Sequence, residues 1–166
     1  NGSCSGVPRI GGIESLTLSL NIHINQWCEG CQYHEFPYDA QIPLKINGKY
    51  PIGTFYSDDD VWDIIRDLIR ETEMVNDKQG KSFDIASSIS QQLPFFCCQN
   101  IVLDKTHQKD IAKYIYCNDV GISPYKGDYG SQPKKWVDKF FIIKSVLSGI
   151  ESKEMRKAQA NGKTRL

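Results

Sequence analysis

The chain predicts an α+β fold: an N-terminal antiparallel sheet, about four helices packed on one of its faces, and a metal ion clipping the two parts together. Three observations carry that expectation. Apolar residues alternate with a period of two early in the chain and with a helical period from residue 57 onward. Asn47-Gly48 sits between two apolar segments, as in a hairpin. Cys28-Glu29-Gly30-Cys31 has the spacing of half a structural metal site. The 166 residues are 40% hydrophobic and 24% charged, the balance of an ordinary folded chain rather than a disordered one. No apolar run approaches the roughly 20 residues that cross a bilayer, so no membrane association is expected.

Residues 1–14 are rich in Gly and Ser and read as a flexible or partner-bound arm. They lack the basic and apolar regions of a signal peptide, and the chain does not begin with Met. Leu16, Leu18, Leu20, Ile22 and Ile24 then alternate with Thr17, Ser19, Asn21 and His23, which predicts a strand with one apolar face. Segments 42–46 and 50–52 flank Asn47-Gly48. A bulged or three-residue loop would pair Ile46 with Tyr50 and Leu44 with Ile52, and is preferred over a plain two-residue turn. Pro43 and Pro51 lack an N–H and place this hairpin at a sheet edge.

Ser57 followed by Asp58, Asp59 and Asp60 starts a helix, with carboxylates beside the positive end of its dipole. Its stripe is Val61, Ile64, Ile65, Leu68 and Ile69, running to about residue 74. A second helix is expected from near Ser82 to Leu93, stopped by Pro94, and a third from about Thr106 to Asn118, ending near Gly121. Residues 123–132 form a loop dense in turn residues and tyrosine. Pro133 opens the last helix, whose apolar residues Trp136 to Ile150 occupy more than one stripe. The expected organisation is one α+β domain over 15–150 and a polar, basic tail over 151–166.

Six cysteines stand at positions 4, 28, 31, 97, 98 and 117. A Cys-x-x-Cys turn brings two thiolates onto one tetrahedral ion, and structural zinc is the leading expectation. The preferred ligand set is Cys28, Cys31, Cys98 and Cys117, with Cys97 and His34 as alternates; His34 extends the motif as Cys-x2-Cys-x2-His. Buried free thiols, disulfides from Cys28 to Cys31 or into Cys97/Cys98, an iron–sulfur cluster and a redox dithiol are the rival readings.

No catalytic signature stands out. A zinc deaminase needs a ligand two residues before its Glu and a later Pro-Cys-x-x-Cys; here Cys28 adjoins Glu29, and Pro94 to Cys98 lacks that spacing. Cys97 or Cys98 with His34 or His107 could supply a hydrolase pair, but such pairings are cheap among three histidines and six cysteines. The Asp58–Asp60 run suits a helix cap better than a cation site. Gly127-Asp128-Tyr129-Gly130 lacks the Gly-Lys-Ser/Thr ending of a phosphate loop.

Net charge is zero but polarised: residues 1–100 carry seven Lys/Arg against thirteen Asp/Glu, and residues 101–166 the reverse. Solvated helix faces explain this, as does a basic surface for phosphate or an acidic protein. Tyr125, Lys126, Tyr129, Lys134, Lys135 and Lys139 are the candidate surface, for a protein partner, a second copy or nucleic acid. The leading functional expectation is a non-enzymatic interaction or assembly module, with a nucleic-acid-binding regulator and a Cys/His hydrolase as alternatives. A reducing cytoplasm, or a virion, is the expected location.

Pro124-Tyr125-Lys126-Gly127-Asp128-Tyr129-Gly130-Ser131-Gln132-Pro133, then Trp136-Val137-Asp138-Lys139, resembles a stretch of small phage-encoded proteins. In these a Pro-Tyr-x-Gly turn and a Gln-Pro pair precede an aromatic-rich helix. The resemblance implies a virus- or mobile-element-encoded accessory or assembly protein. It covers only this short segment and carries no active-site residue across.

Overall fold

Leu16, Leu18, Leu20 and Ile22 are buried, but in a helix rather than the expected strand: α1 spans Gly12–Ile24. The reason lies in how a period of two maps onto a helix. At 100° per residue, Leu16 and Leu20 fall on one side, and Leu18 and Ile22 on the opposite side. Leu18 and Ile22 join the main core cluster, whereas Leu16 and Leu20 are buried outside it. None of residues 15–24 is exposed. A helix covered all round needs no single apolar stripe, so its sequence need not show a helical period. The small polar residues between the leucines are tolerated there; Asn21 Nδ2 donates to the Thr17 carbonyl at 2.9 Å.

The computed structural model describes residues 12–24, 28, 30–80 and 84–163. The α+β class holds, with a two-stranded antiparallel sheet in the N-terminal part and six α-helices among the described residues. The chain divides into two compact units, residues 1–104 and 105–166, where the sequence suggested one domain over 15–150.

In the first unit the sheet pairs β1 (Tyr38–Gln41) with β2 (Ile52–Phe55), with Tyr38 opposite Phe55 and Gln41 opposite Ile52. The turn is the plain two-residue one, not the longer loop expected. Ile46 and Lys49 exchange both backbone bonds, at 2.9 and 3.1 Å, around Asn47 (φ 51) and Gly48 (φ 79). Asn and Gly both accept the left-handed region, and the resulting turn matches strand twist. The irregularity lies farther on: the Ile42 N–H bonds to the Pro51 carbonyl at 2.8 Å, so residues 43–45 stand opposite Tyr50 alone. A Cβ at Gly53 of β2 would meet Ile42 Cδ1 at 2.6 Å, so a side chain there would have to displace the end of Ile42.

Helix α2 (Asp58–Gln79) begins as read. Asp60 Oδ2 accepts from the Tyr56 and Ser57 N–H groups at 2.7 and 3.1 Å, satisfying donors that the helix start leaves free. It runs past residue 74 and ends on Gly80 at φ 59, the left-handed cap that glycine favours. Helix α3 (Ile85–Gln92) is capped by Asp84, which accepts from the Ser87 N–H at 3.2 Å; the start expected near Ser82 lies outside the described residues. Pro94 ends α3 in a single 3-10 turn (Leu93–Phe95), and the four-residue α4 (Gln99–Val102) follows Cys98. Helices α1 and α2 both pack on α3.

The second unit is α5 (Lys105–Val120), a loop, and α6 (Lys134–Lys163). Gly121 (φ 71) closes α5 as expected, with the Ile122 N–H donating to the Cys117 carbonyl at 3.0 Å. Lys139 of α6 pairs with Asp110 of α5. Trp136 and Ile143 are buried on α6. The helix continues through 151–162, expected as a tail, where every residue is exposed.

An aromatic column runs through the first unit. Tyr33 meets Tyr38 at 5.0 Å, Tyr38 meets Phe55 at 5.3 Å, and Phe55 meets Phe96 at 6.1 Å between ring centres. Phe55→Ala is therefore expected to cost about 3–5 kcal/mol in urea unfolding. Ile52→Ala, on the same strand but 75% exposed, should stay within about 0.5 kcal/mol of the parent.

Candidate metal centre

The column's two ends carry the cysteines. At one end the loop after α1 places Cys28 and Cys31, half-buried, against the core. Gly30 stands between them at φ 86, a backbone state that costs a side chain about 1 kcal/mol or more. The turn aims the Gly30 and Cys31 amides at the Cys28 sulfur. At the other end Phe96 leads into Cys97 and Cys98, both buried. Two bonds tie these ends together. Tyr33 Oη donates to the Phe95 carbonyl at 2.9 Å, and the Cys28 N–H donates to Gln99 Oε1 at 3.2 Å.

That scaffold gathers Cys28, Cys31, His34 and Cys98, whose ligand atoms all lie within 4.8 Å of one another. The Cys28 sulfur is 3.5 Å from Cys98 Sγ and 3.9 Å from Cys31 Sγ. His34 Nε2 is 3.5 Å from Cys28 Sγ and 3.8 Å from Cys31 Sγ. A tetrahedral ion with bonds of about 2.3 Å to sulfur and 2.0 Å to nitrogen sets sulfur–sulfur edges of about 3.8 Å and sulfur–nitrogen edges of about 3.5 Å. The four separations just given lie within about 0.3 Å of these values, and Cys98 Sγ meets the same imidazole at 3.7 Å through Nδ1. None of the three sulfurs is in a disulfide. The group could hold a metal ion, and with four protein ligands it would leave that ion no open position.

Electrostatics separates the thiols. The Cys98 side chain, followed by the Cys31 and Gly30 amides, lowers the pKa of Cys28 against the opposing effect of burial. Burial pushes Cys98 up to about 12 despite the Asn100 amide beside it. Cys97 is raised too, again by burial first; like Cys98 it belongs to the core cluster, but it is not one of the four grouped residues.

Three of the four residues are thus those expected in the first place or through the Cys-x-x-Cys turn, and the fourth is the alternate His34. Cys117, the fourth residue of the preferred set, is not in this group. It belongs to the second unit, buried on α5, while the cluster is completed within the first unit by His34. Sequence spacing supplied the signal for His34, since Cys-x2-Cys-x2-His keeps all three ligands on one short loop. Nothing in the sequence marked Tyr33, Gln99, Phe55 or Phe96 as their support. Cys4 lies outside the described residues.

The second-unit residues singled out as a surface have mixed placements. Tyr129 is exposed, and Tyr125 has the Lys113 ammonium over its ring at 4.8 Å. Lys134 is paired with Asp138 at 2.6 Å, which raises its pKa, and Lys139 is taken by Asp110. Lys126 and Lys135 are exposed. Trp136, which could have stacked on a base, is buried.

Fold and site together define an α+β chain with a Cys3His group that could hold a metal ion. No protein-family model, curated protein or solved structure matches the chain. Among the described residues no helix is long and apolar enough to cross a membrane.

Because Cys98 is protonated near neutral pH without metal, an incoming cation must displace its proton. Affinity therefore rises with pH, by about tenfold or more per unit between pH 6 and 8, as isothermal titration with zinc would read. Gly30→Ala should weaken binding by about fivefold, the equivalent of the roughly 1 kcal/mol of strain a side chain meets there.

Proposed function

We propose that Cys28, Cys31, His34 and Cys98 form a structural zinc site in a non-enzymatic interaction or assembly module. The observation that carries this reading is the gathering of three sulfurs and one imidazole within 4.8 Å, with separations close to the edges of a tetrahedral S3N set. Thiolate-rich sites favour zinc over hard cations such as magnesium and calcium. Four protein ligands suit a closed structural site; a catalytic ion keeps a position for water. The ion's task is mechanical: it fastens the loop bearing Cys28 to the turn bearing Cys98, 70 residues later, where the two ends of the aromatic series come together.

The partner surface is proposed on the second unit. Tyr116, Val120, Ile122, Tyr129 and Phe141 are all exposed there, an apolar set that water alone covers poorly. Next to them is a cavity of about 530 Å³ lined by Trp136, Phe140 and Phe141 among others. A protein partner fits these residues better than nucleic acid, since Lys134 and Lys139 already have carboxylate partners.

Native mass spectrometry should find one zinc per chain, retained in Cys117→Ser and lost in Cys98→Ser. At a thousandfold excess of free zinc over Kd, binding adds about 4 kcal/mol of stability. For a chain of this size that corresponds to a Tm about 8–16 °C above the chelated protein. An unchanged Tm with a strong chelator, and no metal by mass, would eliminate the site.

A further inference from the structure

The same cluster holds a second chemistry, and this inference rests on the zinc reading. The geometry points to Cys28 and Cys98 as a peroxide-oxidised pair, whose disulfide ejects the ion and takes over its clasp. Cys28 Sγ is the hub of the cluster, 3.5 Å from Cys98 and 3.9 Å from Cys31. It is half-buried, so a small oxidant reaches it, whereas Cys98 is 1% exposed and shielded from direct attack. One accessible sulfur beside one protected sulfur is the arrangement of an attacking and a resolving cysteine.

The oxidant is a hydroperoxide, hydrogen peroxide in the simplest case. The Cys28 thiolate attacks one peroxide oxygen; an S–O bond forms, the O–O bond breaks, and the departing hydroxide takes a proton to become water. The Cys98 thiolate then attacks the Cys28 sulfur. The S–S bond forms, the S–O bond breaks, and a second hydroxide leaves and is protonated. Two electrons pass from the sulfurs to the peroxide, and two protons come from solvent. Cys31 and His34 remain as two ligands, too few to retain the ion against chelation.

Which disulfide forms decides the consequence. A bridge between Cys28 and Cys31 would close a short local ring and free Cys98, opening the clasp. A bridge between Cys28 and Cys98 joins the segments the ion joined. Their backbones are already held in place by the Cys28 N–H to Gln99 bond and the Tyr33 to Phe95 bond. The shorter sulfur separation favours this second bridge. Zinc leaves, yet the fold stays fastened.

The test treats the zinc-loaded full chain with one equivalent of hydrogen peroxide. Zinc release is followed with a chromogenic chelator, and disulfides are mapped in non-reduced peptides. The expected result is one Cys28–Cys98 crosslink per zinc released, reversed by dithiothreitol. The oxidised, zinc-free protein should have a Tm nearer that of the zinc-loaded form than that of the reduced, chelated form. A Cys28–Cys31 crosslink, irreversible oxidation without a crosslink, or zinc retained under peroxide would each overturn the proposal. Native mass spectrometry before oxidation keeps the two readings apart. A metal-free starting protein fails the zinc reading, while the crosslink map still decides the disulfide on its own.

Discussion

The first unit depends on one convergence: the short loop bearing Cys28, Cys31 and His34 must meet the turn bearing Cys98. Nothing local brings them together. Three sulfurs and an imidazole packed at 3.5 to 3.9 Å gain little from one another as neutral groups, since thiols are weak hydrogen-bond partners. A divalent ion changes that balance, because each thiolate then faces a positive charge instead of a neighbouring sulfur. The surrounding structure positions the four side chains so that they could receive an ion as a prepared set.

The preparation is apolar and aromatic. Tyr33 belongs both to the ligand loop and to the ring column, and its hydroxyl bonds to the backbone two residues before Cys97. Phe55 brings the sheet into the same column, and Phe96 joins it immediately before the cysteine pair. Helix α3 then sets where that turn lies, since α1 and α2 both pack on it and Pro94 ends it. The sheet is small, but its role is specific: Tyr38 and Phe55 link the Tyr33 ring to the Phe96 ring.

Much of this was legible before the structure. Helix α2 announced itself through Ser57, the aspartates and a clean apolar stripe, and α5 through its stripe and Gly121, because caps and one-sided burial leave local marks. Helix α1 did not, since burial on two opposite sides turns a helical sequence into an apparent alternation. The hairpin's turn was placed correctly at Asn47-Gly48, but its strands run over 38–41 and 52–55 rather than 42–46 and 50–52, and the turn was expected to be longer. Apolar pairing across the turn counted for less than the readiness of Asn47 and Gly48 to adopt positive φ. At the site, Cys28 and Cys31 were readable because their spacing is itself the geometry. The choice among Cys97, Cys98, Cys117 and His34 was not, since a buried thiol serves equally well as a small apolar side chain.

The most direct test of the account is zinc K-edge X-ray absorption on the loaded protein. It predicts three sulfur scatterers at about 2.3 Å and one nitrogen at about 2.0 Å, with the imidazole pattern vanishing in His34→Ala. A four-sulfur shell, or an oxygen- and nitrogen-only shell, would contradict the assignment of His34 and the three cysteines.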